Sequence, residues 1–235
     1  KTNGLFDPTI GLLLEYYGFG PENSKNIINE DSILQIMETV GFEKISINNR
    51  KLIKKNIRTK LDFNAIAKGY AVDVISNYIE SKGFLNYLID IGGEIKSSGT
   101  NISKKDHWKI AINNPDFSNN NSFYKILRLS NHSIATSGNY RNFKIDSITG
   151  NKYVHILNPI TGKSQQTNIL SASVVSSSCF KSDAFATAMM ASNLKNAISI
   201  TENNNDIESF IIYVDSLNNI TDYASAGFKK LLIKP

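Results

Sequence analysis

The chain has 235 residues, 41% of them hydrophobic and 20% charged, enough for one sizeable core or for two lobes sharing a site. Its net charge of +5 is scattered over KLIKKNIRTK (51–60), Phe143-Lys144 and the final FKKLLIKP, without interleaved aromatics, which argues against a nucleic-acid surface. No run nears the roughly 18 apolar residues of a membrane span, and the single Cys179 excludes an internal disulfide and a thiolate metal cluster.

In chain order, Asp7-Pro8 reads as an N-cap and first helical residue, predicting a helix through Ile10, Leu12, Leu13, Tyr16 and Tyr17 that the Gly18 to Pro21 turn stops. A second short helix is expected over 31–40, with Asp31 ahead of its apolar positions and Gly41 as C-cap. Short strands are expected at 43–47, 52–56 and 60–63. A long helix follows, capped by Asn64, whose apolar residues Ile66, Ala67, Tyr70, Ala71, Val74, Ile75, Tyr78 and Ile79 recur at helical period and predict a buried face. Lys68, Asp73, Asn77 and Glu80 fall off that stripe and read as its solvated side. Two strands around Gly92-Gly93 come next.

The second half reads as antiparallel strands at 108–112, 124–129 and 133–136, a solvated loop NNPDFSNNNS, and a hairpin of 143–146 with 153–157 around Ser147 to Gly150. A buried strand over 169–175 leads to a helix over 181–192 that is small or apolar on nearly every side and therefore buried. A helix over 194–203 and strands over 210–215 and 228–233 complete the chain. The class is α+β, with antiparallel sheets and packed helices.

Three clusters have residue types suited to chemistry. Asp62 and Lys68 bracket the start of the long helix, where free N–H groups and the helix dipole favour an anion such as phosphate; they also fit a second cap and a solvated charge. Asp183 and Thr187, at i and i+4, stack on one face of the buried helix, where a carboxylate needs a partner. A hard cation such as Mg²⁺ is one answer, and a helix cap with a hydroxyl bonded back to the backbone is the other. His155, between Val154 and Ile156 on an expected strand, is the best-placed general base among three histidines, although a lone strand histidine also fits a structural role.

Six segments in order, FDPTIGLLLEYYGFG (6–20), LDFNAIAKGYAVD (61–73), IDIGGEI (89–95), IATSGNYRNF (134–143), YVHILNPITGKS (153–164) and SCFKSDAFATAMM (178–190), resemble the ApbE family of FAD:protein FMN transferases. The resemblance implies a T-fold-related, two-lobed α+β architecture over residues 1–235. It implies an enzyme that splits FAD at the pyrophosphate and moves FMN to a Ser or Thr hydroxyl of a target protein, releasing AMP and using Mg²⁺. Carried over by motif, the metal ligands are the Asp183 carboxylate, the Thr187 hydroxyl and the Ala65 carbonyl. Asp62, Lys68 and the backbone near Leu157 contact FAD, as do Leu5, Phe6 and Asp7. His155 takes the proton of the acceptor hydroxyl. An FAD-binding module without transfer and an FAD pyrophosphatase remain as alternatives.

The implied acceptors are flavin-carrying subunits of membrane redox complexes, in the periplasm or cell envelope, with membrane association only through a lipid anchor upstream of Lys1. The family's segment upstream of FDPTIG is missing, so the chain reads as an N-terminally truncated piece. Asn64, Asp90, Asn139 and Asn158 depart from the family pattern without removing a named ligand.

Overall fold

The computed structural model describes residues 1–21, 28–115, 123–138, 143–145, 152–164 and 167–233. Its elements begin with helices α1 (Gly11–Tyr16) and α2 (Glu30–Met37), strands β1 (Ile45–Asn48) and β2 (Lys51–Lys54), helix α3 (Asn64–Ser81), and strands β3 (Tyr87–Ile91) and β4 (Glu94–Ser98). Strands β5 (Trp108–Asn113), β6 (Phe123–Leu129), β7 (Ser133–Gly138), β8 (Phe143–Ile145), β9 (Lys152–Val154) and β10 (Ile169–Ser176) follow. Helices α4 (Cys179–Met190) and α5 (Leu194–Glu202), strands β11 (Ile207–Val214) and β12 (Ile220–Ala224), and helix α6 (Ala226–Leu231) end the chain. The elements divide into two units, one of Lys1–Phe63 with Arg141–Gln166 and one of Asn64–Tyr140 with Thr167–Pro235.

In the first unit α1 starts at Gly11, not at Pro8. The Asp7 carboxylate accepts the N–H of Thr9 at 2.8 Å and its hydroxyl at 2.6 Å, so it closes a local turn instead of capping a helix. Ile10 pairs with Lys60 in a parallel bridge and the Gly11 N–H donates to the Lys60 carbonyl at 3.1 Å. That pairing keeps residues before Gly11 out of the helix, and it is all that forms of the strand expected over 60–63. The cap of α2 is Asn29, whose side chain accepts the Ser32 N–H at 2.8 Å, and not Asp31. Its C-cap is Glu38, so Gly41 does not end it. Strands β1 and β2, both expected, pair with each other, and β8 and β9 form the expected hairpin, whose connecting residues 147–150 lie outside the described ones. Leu13, Leu14, Tyr17, Ile33 and Leu157 form this unit's core.

The second unit is built on an antiparallel six-stranded sheet in the order β12-β11-β10-β7-β4-β3. One face carries Ile134, Val175, Phe210 and Ile212, which pack with Ile110, Ile112, Leu127 and Leu129 of the β5–β6 hairpin and with Phe228 of α6. On the other face, Ala172, Val174, Ser209 and Ile211 are buried, and Ser209 bonds Thr201 of α5 at 2.6 Å. Helix α4 lies on this face: Ser182 bonds Ser176 at 2.9 Å, and Thr187 bonds Ser137 of β7 at 3.2 Å. Its burial nearly all round is as the composition predicts. The turn between β3 and β4 has Gly92 at φ 63 and Gly93 at φ 98, the left-handed pair that a two-residue hairpin needs.

Two expectations fail here. The last one, a strand over 228–233, is replaced by α6. Phe228 stacks on Phe210 at 5.3 Å, and Glu208 accepts the Gly227 N–H at 3.0 Å, so the helix is anchored from β11. The strand partner of β11 is β12, which the sequence reading did not anticipate.

The second failure concerns α3. The helix forms where it was predicted, with Asn64 as its first residue and not the cap before it, but its buried residues are Gly69, Val72, Asp73 and Ser76, while Tyr70 is 62% and Tyr78 63% exposed. Hydrophobic periodicity finds the helix but not the side that packs. Here that side is chosen by Gly69, where an added Cβ meets the Cys179 carbonyl oxygen at 2.5 Å and the Phe180 Cα at 2.7 Å. Only glycine allows α3 and α4 so close. Gly69→Ala is therefore expected to cost about 3 kcal/mol or more in a urea titration, as overpacking against rigid backbone.

Candidate functional site

In the second unit, the start of α3, the Gly92-Gly93 turn and α4 bring together Lys68, Glu94 and Asp183. Asp183 is 3% exposed and sits one turn into α4, where its Oδ2 accepts the N–H of Gly69 at 3.1 Å. It is not the cap of its helix; that position is Ser178. In a regular helix the Gly69 N–H points at the carbonyl of Ala65, one turn back. By accepting that N–H, Asp183 Oδ2 meets α3 one turn after Ala65. Thr187 lies one turn further along α4, its hydroxyl turned to Ser137. Carboxylate, hydroxyl and carbonyl oxygens are the donors that a hard cation takes. Among the described residues no group of three or more His, Cys, Asp or Glu side chains is gathered for a metal.

Burial pushes the Asp183 carboxyl up to about 7; the Gly69 N–H opposes this, the Glu94 charge adds to it and Lys68 counters it. Lys68 does not fold back over the helix start. Its ammonium reaches Glu94 Oε2 at 2.6 Å, with the lysine side chain 50% exposed and the glutamate 2%. Burial raises the Glu94 carboxyl above its ordinary range, and Lys68 offsets this in part. The result is a half-exposed ammonium held by Glu94 one turn into an eighteen-residue helix, a cation suited to an anionic ligand.

The sequence reading missed Glu94, although it follows the Gly-Gly turn directly, and it treated Asp73 as solvated. Asp73 is buried instead, accepting N–H groups from Cys179 and Phe180 at 3.0 Å each. Its signal was its place four residues after Gly69, on the same side of the helix.

The remaining candidates belong to the first unit. Leu5 is buried, Phe6 is half-buried, and Asp7 is engaged by Thr9, whose hydroxyl in turn accepts the Gly41 N–H at 2.7 Å. The Asp62 N–H donates to the Pro8 carbonyl at 2.7 Å, which sets the two segments side by side. Asp62 therefore does not end a strand. His155 is also off the strand, at a bend just beyond β9. That bend is clamped: the Ser164 hydroxyl oxygen accepts the Val154 N–H at 2.8 Å, and Leu157 bridges to Ser164. The half-buried imidazole meets the Phe19 ring edge to face, with centroids 6.4 Å apart. Leu157 is a core residue, so only its backbone is left for a ligand.

Comparison with known proteins follows the same lines. FAD:protein FMN transferase of Vibrio cholerae serotype O1 is 34% identical over 235 residues, which cover 99% of this chain and 68% of that protein. The Haemophilus influenzae protein of the same name is 30% identical, over 98% of this chain and 66% of its own length. This chain thus spans about two thirds of these relatives. Among solved structures, the flavin transferase ApbE from Vibrio cholerae superposes with a TM-score of 0.85 at 32% identity, over 98% of this chain and 72% of that one. The apo flavinyl transferase ApbE of Pseudomonas stutzeri gives 0.84 at 29% identity, over 98% and 70%. The ApbE family model matches residues 1–211, and the chain belongs to the ApbE family.

Proposed function

We propose that this chain is an Mg²⁺-dependent transferase that moves FMN from FAD to a Ser or Thr hydroxyl of an acceptor protein and releases AMP. The observation that carries the reading is the meeting of the Asp183 carboxylate with the Gly69 N–H in the second turn of α3, next after Lys68 of the Lys68–Glu94 pair. The names of its relatives support the same activity. The acceptor oxygen forms a bond to the phosphorus of the FMN half, the bond to the AMP phosphate breaks, and AMP leaves with the electron pair. Asp183, Thr187 and the Ala65 carbonyl are the residues that hold Mg²⁺, which when bound supplies charge neutralisation at the phosphate oxygens. Lys68, held by Glu94, offers its remaining N–H donors to phosphate, and the α3 N-terminus adds its dipole. Asp62, the backbone near Leu157 and the segment Leu5 to Asp7 contact FAD. His155 takes the proton of the acceptor hydroxyl. The acceptors are flavin-carrying subunits of membrane redox complexes, and the place of action is the periplasm or cell envelope.

The reading is tested by incubating the chain with FAD, Mg²⁺ and a Ser/Thr acceptor peptide. Fluorescent flavin attached to the peptide is the expected product. Free FMN and AMP would make it a pyrophosphatase, and unchanged bound FAD a binding module.

A further inference from the structure

Helices α3 and α4 are joined by two polar rungs of opposite sense. On α3 the groups are the Gly69 N–H and the Asp73 carboxylate, one turn apart; on α4 they are the Cys179 and Phe180 N–H groups and the Asp183 carboxylate, also one turn apart. Gly69 donates to Asp183 at 3.1 Å, while Asp73 Oδ1 accepts from Cys179 and its Oδ2 from Phe180, both at 3.0 Å. Ser178, the cap position of α4, makes no side-chain capping bond, so the cap of this helix is supplied entirely from another helix. Lys96 of β4 pairs with Asp73 at 3.1 Å and holds the carboxylate from the sheet side.

We propose that Asp73 is a positioning residue that sets the register of α4 on α3, so that the Asp183 carboxylate meets the Gly69 N–H of α3. The functional consequence rests on the cation role given above to Asp183; the geometry does not. Two acceptor oxygens on two successive N–H groups fix the start of α4 in both translation and rotation. Asp183 lies one turn further on, so any slide or turn of the helix start is passed directly to it. The close approach at Gly69 then fixes the separation of the two helices. A carboxylate read as solvated in the sequence thus acts on the site through a neighbouring helix.

The test compares the wild-type chain with Asp73→Ala and Asp73→Asn, and with Ser225→Ala as a control for general destabilisation. Ser225 accepts the Ser209 N–H at 3.0 Å beside α6 and touches neither α3 nor α4. Two quantities are read: the exchange rate of the Gly69 amide relative to that of Val174 in β10, and the affinity for Mn²⁺ alone by electron paramagnetic resonance. Asp73→Ala is expected to speed relative Gly69 exchange about tenfold or more and to weaken Mn²⁺ binding about tenfold. Asp73→Asn, which keeps one acceptor oxygen, should fall between it and wild type, about threefold in each. Ser225→Ala should lower the melting temperature yet leave both quantities within about twofold.

Unchanged relative Gly69 exchange in Asp73→Ala, or in Asp73→Asn if the alanine variant does not fold, overturns the proposal. An equal response in Ser225→Ala also overturns it, because the effect would then be general. Absence of Mn²⁺ binding in the wild type overturns the cation reading alone, and the Gly69 exchange still decides the role of Asp73.

Discussion

Replacing Asp183 by alanine is expected to abolish FMN transfer, lowering the single-turnover rate by at least about 10³-fold, since several kcal/mol of charge stabilisation depends on the cation's one carboxylate. The measurement is flavin fluorescence on the acceptor peptide at saturating Mg²⁺, and normal activity would refute the metal assignment. Asp183→Asn adds a test that needs no turnover. The Asp183 carboxyl, ordinarily near 3.8, is raised by burial to about 7, so the folded state holds its proton more tightly than the unfolded state does. Stability from this group is fully present below 3.8 and is lost as pH rises through about 7. The loss amounts to no more than ~4 kcal/mol. Without metal, Asp183→Asn should therefore melt higher than wild type at pH 8, with a flatter stability profile across that window. In the wild type, Mg²⁺ must displace the proton, so its apparent affinity should fall as pH drops below about 7.

The second large effect is expected at His155. His155→Ala should keep FAD binding within about twofold while transfer falls by ~10²–10⁴, the usual contribution of a positioned general base. The bend that carries the ring is held by Ser164 on either side, through Val154 and Leu157 and not through the imidazole, so truncation removes the ring without releasing the backbone. FAD binding and transfer are measured separately, by flavin fluorescence on the enzyme and on the acceptor. Unimpaired transfer would reduce His155 to a structural residue.

Much of the site could be read from the chain in order. The long helix after Asn64, the Gly-Gly hairpin, the buried α4 and the Asp183–Thr187 spacing are local: each follows from residues a few positions apart. Three of the six motif segments quoted for the ApbE resemblance, 61–73, 89–95 and 178–190, lie on these elements. Partners distant in sequence could not be read in this way. Lys68 was expected over its own helix start, but it is taken by Glu94, which arrives only once β3 and β4 have paired. Asp7 was expected to cap α1, but it closes a turn at Thr9, and the bridge of Ile10 with Lys60 keeps that turn outside the helix.

Helix α3 marks the boundary most clearly. Its presence is written in hydrophobic period, because that pattern acts within a few turns. Which side is buried is a property of the pair of helices, since the close approach at Gly69 and the buried N-terminus of α4 each need a specific neighbour. Those two requirements turn Gly69 and Asp73 inward and leave Tyr70 and Tyr78 exposed, against the apolar pattern. Local order came from short-range chemistry; the partners of Asp73, Lys68 and Asp183 came from strands and helices far apart in the chain, and only folding brings them within hydrogen-bonding distance.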